Sequence, residues 1–137
     1  MDDITIYLVV AIGFYMFASG IGIARKPATA HKVLEELEAS PALIIITGAF
    51  TYFLGATLIA IHNKWDNILE GFVSFVGWSA AIQGLLLLAA PGLIFGFARI
   101  IAPGDKAAGL FGALTVAVGG GLLFLGIPLL ITANAPV

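Results

Sequence analysis

A chain of 137 residues that is 61% hydrophobic and 10% charged holds less than half the charge of an ordinary soluble domain, for which about 25% is typical. At a mean hydropathy of +1.10 so small a chain has too little interior to hide its apolar surface, and lipid is expected to cover it. A net charge of −2 with six basic residues and no cysteine excludes electrostatic nucleic-acid binding, disulfides, thiol catalysis and thiolate metal sites.

The chain starts acidic, Met1-Asp2-Asp3, and then runs without a charge over residues 4–24. As a helix those residues reach about 31 Å, matching a hydrocarbon core of about 30 Å. A cleaved signal peptide would have its basic residues in front of the apolar run. Here Arg25 and Lys26 follow it, so an uncleaved first span is expected. Pro27 stops that span, because it lacks an N–H and clashes inside a helix. In residues 28–39, ATAHKVLEELEA, Val33, Leu34 and Leu37 share a helical face and the acids Glu35, Glu36 and Glu38 lie largely elsewhere. This predicts a short surface helix with a solvated acidic side. Ser40 as N-cap and Pro41 at the first position open the second span, residues 41–61. Residues 62–67, HNKWDN, are the polar connection, with Trp65 anchoring at the interface.

The third span is expected over residues 72–90. Hydropathy alone would carry it to Ile101, but Pro91-Gly92 stands where Pro27-Ala28 stands in the first half. Residues 93–102 are therefore predicted as a second surface helix, with Phe95, Phe97 and Ile100 toward lipid and Arg99 reaching headgroups. Pro103-Gly104-Asp105 is a turn, and the last span covers residues 107–131, with Pro128 near its end.

The internal comparison rests on a constant offset of 64. It pairs Gly13 with Gly77, Gly20 with Gly84, Pro27 with Pro91, Gly48 with Gly112, Thr51 with Thr115 and Gly55 with Gly119. The expected fold is all-α: one membrane domain, residues 1–137, with four transmembrane helices arranged as two tandem helical hairpins. The repeats are about 1–64 and 65–137, and each carries a cytoplasmic interfacial helix. With two spans per copy, both copies enter from the same side, a parallel repeat about an axis along the membrane normal. Arg25, Lys26, Lys32, Arg99 and Lys106 lie on the side of the surface helices and Lys64 alone on the other. The basic side is expected in the cytoplasm, with both termini outside.

In lipid, helices associate through close backbone packing at small residues. Gly13 and Gly20, Gly48 and Gly55, Gly77 and Gly84, and Gly112 and Gly119 each lie two turns apart on one face, so all eight are expected at helix contacts.

Polar side chains within spans are costly and are the first functional candidates. Gln83, with Ser19 as its repeat partner, is expected to bond across helices or to touch a ligand. Thr51 and Thr115 are expected to satisfy their hydroxyls on their own helices. Tyr15, Tyr52 and Trp78 read as interfacial or packing rings, with quinone stacking as the alternative. His62 ends the second span with Asn63 and is expected to hydrogen-bond at the interface. The only other histidine, His31, is on the opposite side, so one chain cannot offer a bis-histidine haem site. Arg25, Lys26, Trp65 and Arg99 are headgroup candidates. No nucleophile–base pair, phosphate loop or metal-ligand spacing occurs, so neither catalytic residues nor a cofactor or metal is expected.

The run His62-Asn63-x-Trp65, followed by Gly77-Trp78, Gly84 and Pro91, resembles a family of small, uncharacterised four-helix bacterial integral membrane proteins. The resemblance implies four spans in a bacterial inner membrane and implies no activity. The layout is also similar to that of DoxX-type proteins, although none of that family's motif residues is placed here. The expected function is non-enzymatic: an accessory or structural subunit, packing in the bilayer against other membrane subunits or itself. A small-solute transporter or channel lined by Ser19, Thr51, Gln83 and Thr115 is one alternative. A lipid- or quinone-contacting subunit of a redox complex is another.

Overall fold

The computed structural model describes residues 1–136 and is entirely helical outside its short connections. Six helices follow one another: α1 Asp3–Arg25, α2 Pro27–Ala39, α3 Pro41–Ile61, α4 Ile68–Ala89, α5 Pro91–Ile101 and α6 Asp105–Ala133. α1, α3, α4 and α6 are long and apolar enough to cross a membrane, which is consistent with a multi-pass membrane protein. Their large side chains mostly face outward, Tyr15, Ile46, Phe53, Phe75 and Phe124 among them.

Local chemistry sets the helix boundaries. Pro27, Pro41 and Pro91 each occupy a first helical turn, where a missing N–H costs nothing. Ser40 caps α3 by accepting the Leu43 N–H, and Asn67 caps α4 by accepting that of Glu70 at 3.0 Å. The Asn67 cap moves the start of α4 to Ile68 rather than residue 72, which brings Glu70 into its first turn. α5 likewise starts at Pro91, and α6 runs two residues beyond the expected span at each end.

α1 packs chiefly on α6 and α3 chiefly on α4, while α1 and α4 also meet. Val9, Val73 and Leu122 form the core, with Leu8, Ile12, Met16, Leu58, Leu69 and Phe72 against it. Both principal pairs run antiparallel and close at glycines. A Cβ on Gly20 would stand 2.7 Å from the Val116 backbone nitrogen and 2.8 Å from the Gly112 oxygen. On Gly84 it would meet the Tyr52 backbone and lie 2.7 Å from the Gly48 oxygen. Gly119 meets Phe17 and Gly13, and Gly55 meets Ala81 and Gly77; Gly13 meets Leu122 and Leu123, and Gly77 meets Leu58 and Ile59. Each of these α1–α6 contacts recurs on α3–α4 at an offset of 64, α1 residues matching α4 and α6 residues matching α3. All eight of these glycines are buried.

One expectation about α5 changes. Phe95 is buried at 2% exposure, whereas Phe97 and Ile100 face outward at 63% and 79%. α5 packs on α4, and Phe95 is the residue it buries.

These contacts make a testable contrast between two glycines. Gly20→Ala drives a methyl group into the α6 backbone and should destabilise the bundle by about 1–3 kcal/mol, the usual cost of overpacking. At Gly121 an added Cβ meets nothing within 4 Å, so Gly121→Ala should be neutral or stabilising by up to about 1 kcal/mol through helix propensity. Unfolding of both variants in mixed detergent micelles measures the difference.

Candidate functional site

A polar cluster lies where α1 and α4 begin and α3 ends. Thr5, His62, Glu70 and Ser74 are its members, each at most 4% exposed. Burial without hydrogen bonds would be costly, and the first, second and fourth are fully engaged. Ser74 donates its one hydroxyl proton to the Lys64 carbonyl at 2.7 Å and accepts the Lys64 N–H at 2.9 Å. Its remaining contact, His62 Nδ1 at 3.2 Å, must therefore be one in which the imidazole donates. The other ring nitrogen, Nε2, meets Thr5 Oγ1 at 2.9 Å. The bonds thus put a proton on Nδ1 and tie α1, α3 and α4 together. Glu70 lies one turn before Ser74 on the same face of α4, and its buried Oε2 has no hydrogen-bond partner among the described residues.

His62 is thus an inward-facing tie between helices, where the sequence suggested an interfacial role. Its neighbour Asn63 takes the interface. Its Oδ1 accepts the indole N–H of Trp65 at 3.0 Å and of Trp78 at 3.3 Å. At the same end Lys64 pairs with Asp2. Their hydrogen bond holds the Asp2 carboxyl below its usual range and the Lys64 ammonium above it. Tyr7 bonds Asn134 at 3.2 Å, joining α1 to the end of α6.

The opposite end is held by charge. Arg99 of α5 pairs with Glu38 of α2, and both side chains remain exposed. His31 on α2 meets the Ala102 carbonyl through Nε2 at 3.0 Å and Asp105 through Nδ1 at 3.1 Å. Both partners are acceptors, so only a doubly protonated ring satisfies both. The Ala102 carbonyl first, then the Asp105 carboxylate, raises the His31 pKa above its ordinary 6.5.

The remaining candidates are dispersed. Ser19 bonds the Tyr15 and Met16 carbonyls and Thr115 bonds Phe111 O. Gln83 is exposed and makes no intramolecular hydrogen bond among the described residues; Thr51 is half-buried. Tyr15 is 74% exposed, and Tyr52 packs edge-on against Phe53. Arg25 and Lys26 are exposed at the end of α1. Ser19 and Gln83 lie in separate grooves at the two helical elbows. The α1–α2 groove, about 470 Å³, is lined by Ser19, Gly22, Ile23, Lys26, Thr29, Ala30 and Val33. The second, about 640 Å³, includes Gln83, Leu86, Leu93, Ile94 and Phe97, with Phe111 of α6 closing it. Those first five match Ser19, Gly22, Thr29, Ala30 and Val33 at the offset of 64. Among the described residues no group of three or more His, Asp or Glu is placed to hold a metal.

Two measurements test these assignments. Ser74→Ala strips partners from Lys64 and the His62 N–H, and should destabilise the fold by about 1–3 kcal/mol, read by unfolding in mixed micelles. The His31 tie should contribute fully below pH 6.5 and fade as pH climbs through the raised value, because the folded chain binds that proton more tightly. Hydrogen exchange of α2, corrected for intrinsic pH dependence, should therefore accelerate with rising pH and lose that dependence in His31→Gln. No protein-family model, curated protein or solved structure matches this chain.

Proposed function

We propose that this chain is a non-enzymatic four-span membrane protein that serves as a structural or accessory subunit, assembling with itself or with other membrane proteins. The observation that carries this reading is the use of its interior polar groups. Three of the four buried polar side chains there, Thr5, His62 and Ser74, bond one another through His62 and the backbone of Lys64, so their chemistry joins helices. Most of the apolar surface of the spans faces outward, and a bundle that contacts lipid on some faces offers others to neighbouring spans.

The architecture proposed with it is a duplicated hairpin with pseudo-two-fold symmetry along the membrane normal. Its support is the recurrence of the glycine contacts at an offset of 64 and the meeting of the starts of α1 and α4 around His62. α2 and α5 lie at the cytoplasmic interface of a bacterial inner membrane, by the excess of Lys and Arg at their end. The transport alternative places Ser19, Thr51, Gln83 and Thr115 along one path, whereas Ser19 and Gln83 line different grooves. The apolar groove beside Gln83 favours a second reading, contact with a lipid or quinone.

A chain without cysteine suits single-cysteine mapping. Cysteines at Asp66 and Thr29 should label from opposite sides of sealed inverted vesicles, Thr29 from the exposed cytoplasmic face. Native mass spectrometry of the chain extracted in mild detergent should show one oligomer or one partner at fixed stoichiometry. A lone monomer, together with solute flux in liposomes, would refute the subunit reading.

A further inference from the structure

The two elbow grooves have the same position in the fold and different chemistry. In the α4–α5 groove the floor residue is Leu86, with Leu93, Ile94 and Phe97 above it. In the α1–α2 groove the corresponding residues are Gly22, Thr29, Ala30 and Val33, and Lys26 stands on the rim. A Cβ at Gly22 would meet nothing within 4 Å, so the floor is open. Ile23, Ala30 and Val33 give it apolar walls, and Lys26 and Thr29 give it a polar mouth.

Lys26 belongs to none of the ion pairs among the described residues. It lies at the elbow itself, between the last residue of α1 and Pro27, the first residue of α2. The elbow follows the last turn of an apolar helix; in the membrane placement proposed above, on which this inference rests, that end lies where headgroups meet the hydrocarbon. An occupant that matches a cation and hydroxyl at the mouth and an apolar trough below is itself amphipathic and negatively charged at its polar end.

We propose that the α1–α2 groove is a binding site for an anionic phospholipid. The phosphate lies against Lys26 and Thr29, and one acyl chain lies over Gly22 between Ile23 and Val33. The α4–α5 groove has Ala90 at the position of Lys26 and Leu86 at that of Gly22. It lacks both the cation and the open floor, so it does not select for headgroup charge. This proposal is independent of the subunit reading, since either can fail alone.

Phosphatidylglycerol and phosphatidylcholine with matched chains are titrated into the delipidated chain in detergent, and native mass spectrometry counts the retained lipid. Phosphatidylglycerol should bind about fivefold more tightly, the worth of one lysine at an anionic headgroup. Lys26→Gln should remove the preference. Gly22→Leu, which places the side chain of the other groove in an open position and leaves the packing intact, should weaken retention of both lipids. Inorganic phosphate at millimolar concentration should not displace the lipid. Equal binding of the two lipids, or retention unchanged in both variants, overturns the proposal, and so does displacement by phosphate alone. Leu86→Gly, which opens the second groove without adding a cation, should increase lipid retention there with no charge preference.

Discussion

Contact between helix backbones at glycine is the constraint on which the rest of this bundle depends. The spans are apolar on every side, so removing a leucine from lipid to place it against another leucine gains little. What distinguishes one face from another is how closely a neighbour can approach. At Gly20 and Gly112, and at Gly48 and Gly84, each residue stands beside the other's carbonyl, a distance that any side chain would forbid. Dispersion contacts then accumulate along the whole seam, and the small valine core at Val9 and Val73 completes what the seams align.

The two ends of the bundle are secured by different physics. Around His62 the ties are buried side-chain hydrogen bonds, with an exposed Asp2–Lys64 pair at the same end. Where α2 and α5 lie, the ties are ionic and exposed: Arg99 with Glu38 and His31 with Asp105. Bonds inside the bundle are shielded from ions, whereas exposed pairs weaken as ionic strength rises. The exposed pairs at both ends therefore answer to the composition of the aqueous phase, and those at the α2–α5 end include the titrating His31.

Much of the fold is legible in the residues, because the signals are local or periodic. Prolines at 27, 41 and 91 mark three helix starts, Ser40 marks a cap, and the glycine spacing marks the faces that meet. The His62 cluster is far less visible. Thr5 and His62 are 57 positions apart, and neither looks unusual beside its chain neighbours. Glu70 falls outside a span judged to begin at Phe72, because hydropathy gives no weight to the Asn67 cap that starts the helix earlier. The comparison at offset 64 also conceals the cluster, since it rewards identities. His62 faces Gly126 in that alignment, Ser74 faces Val10, Glu70 faces Ile6 and Thr5 faces Leu69. Gln83 draws notice as an amide within a span, and it lies exposed, lining the groove between α4 and α5.

The way the helices exchange partners also governs how the protein comes into being. Gly13 and Gly20 pack on α6, and Gly48 and Gly55 pack on α4, so none of the seams in the first three helices closes within them. α1 is synthesised long before α6, so the partner of its small-residue face is the last helix to be made. α3 and α4 are neighbours in sequence, and their seam needs no later helix.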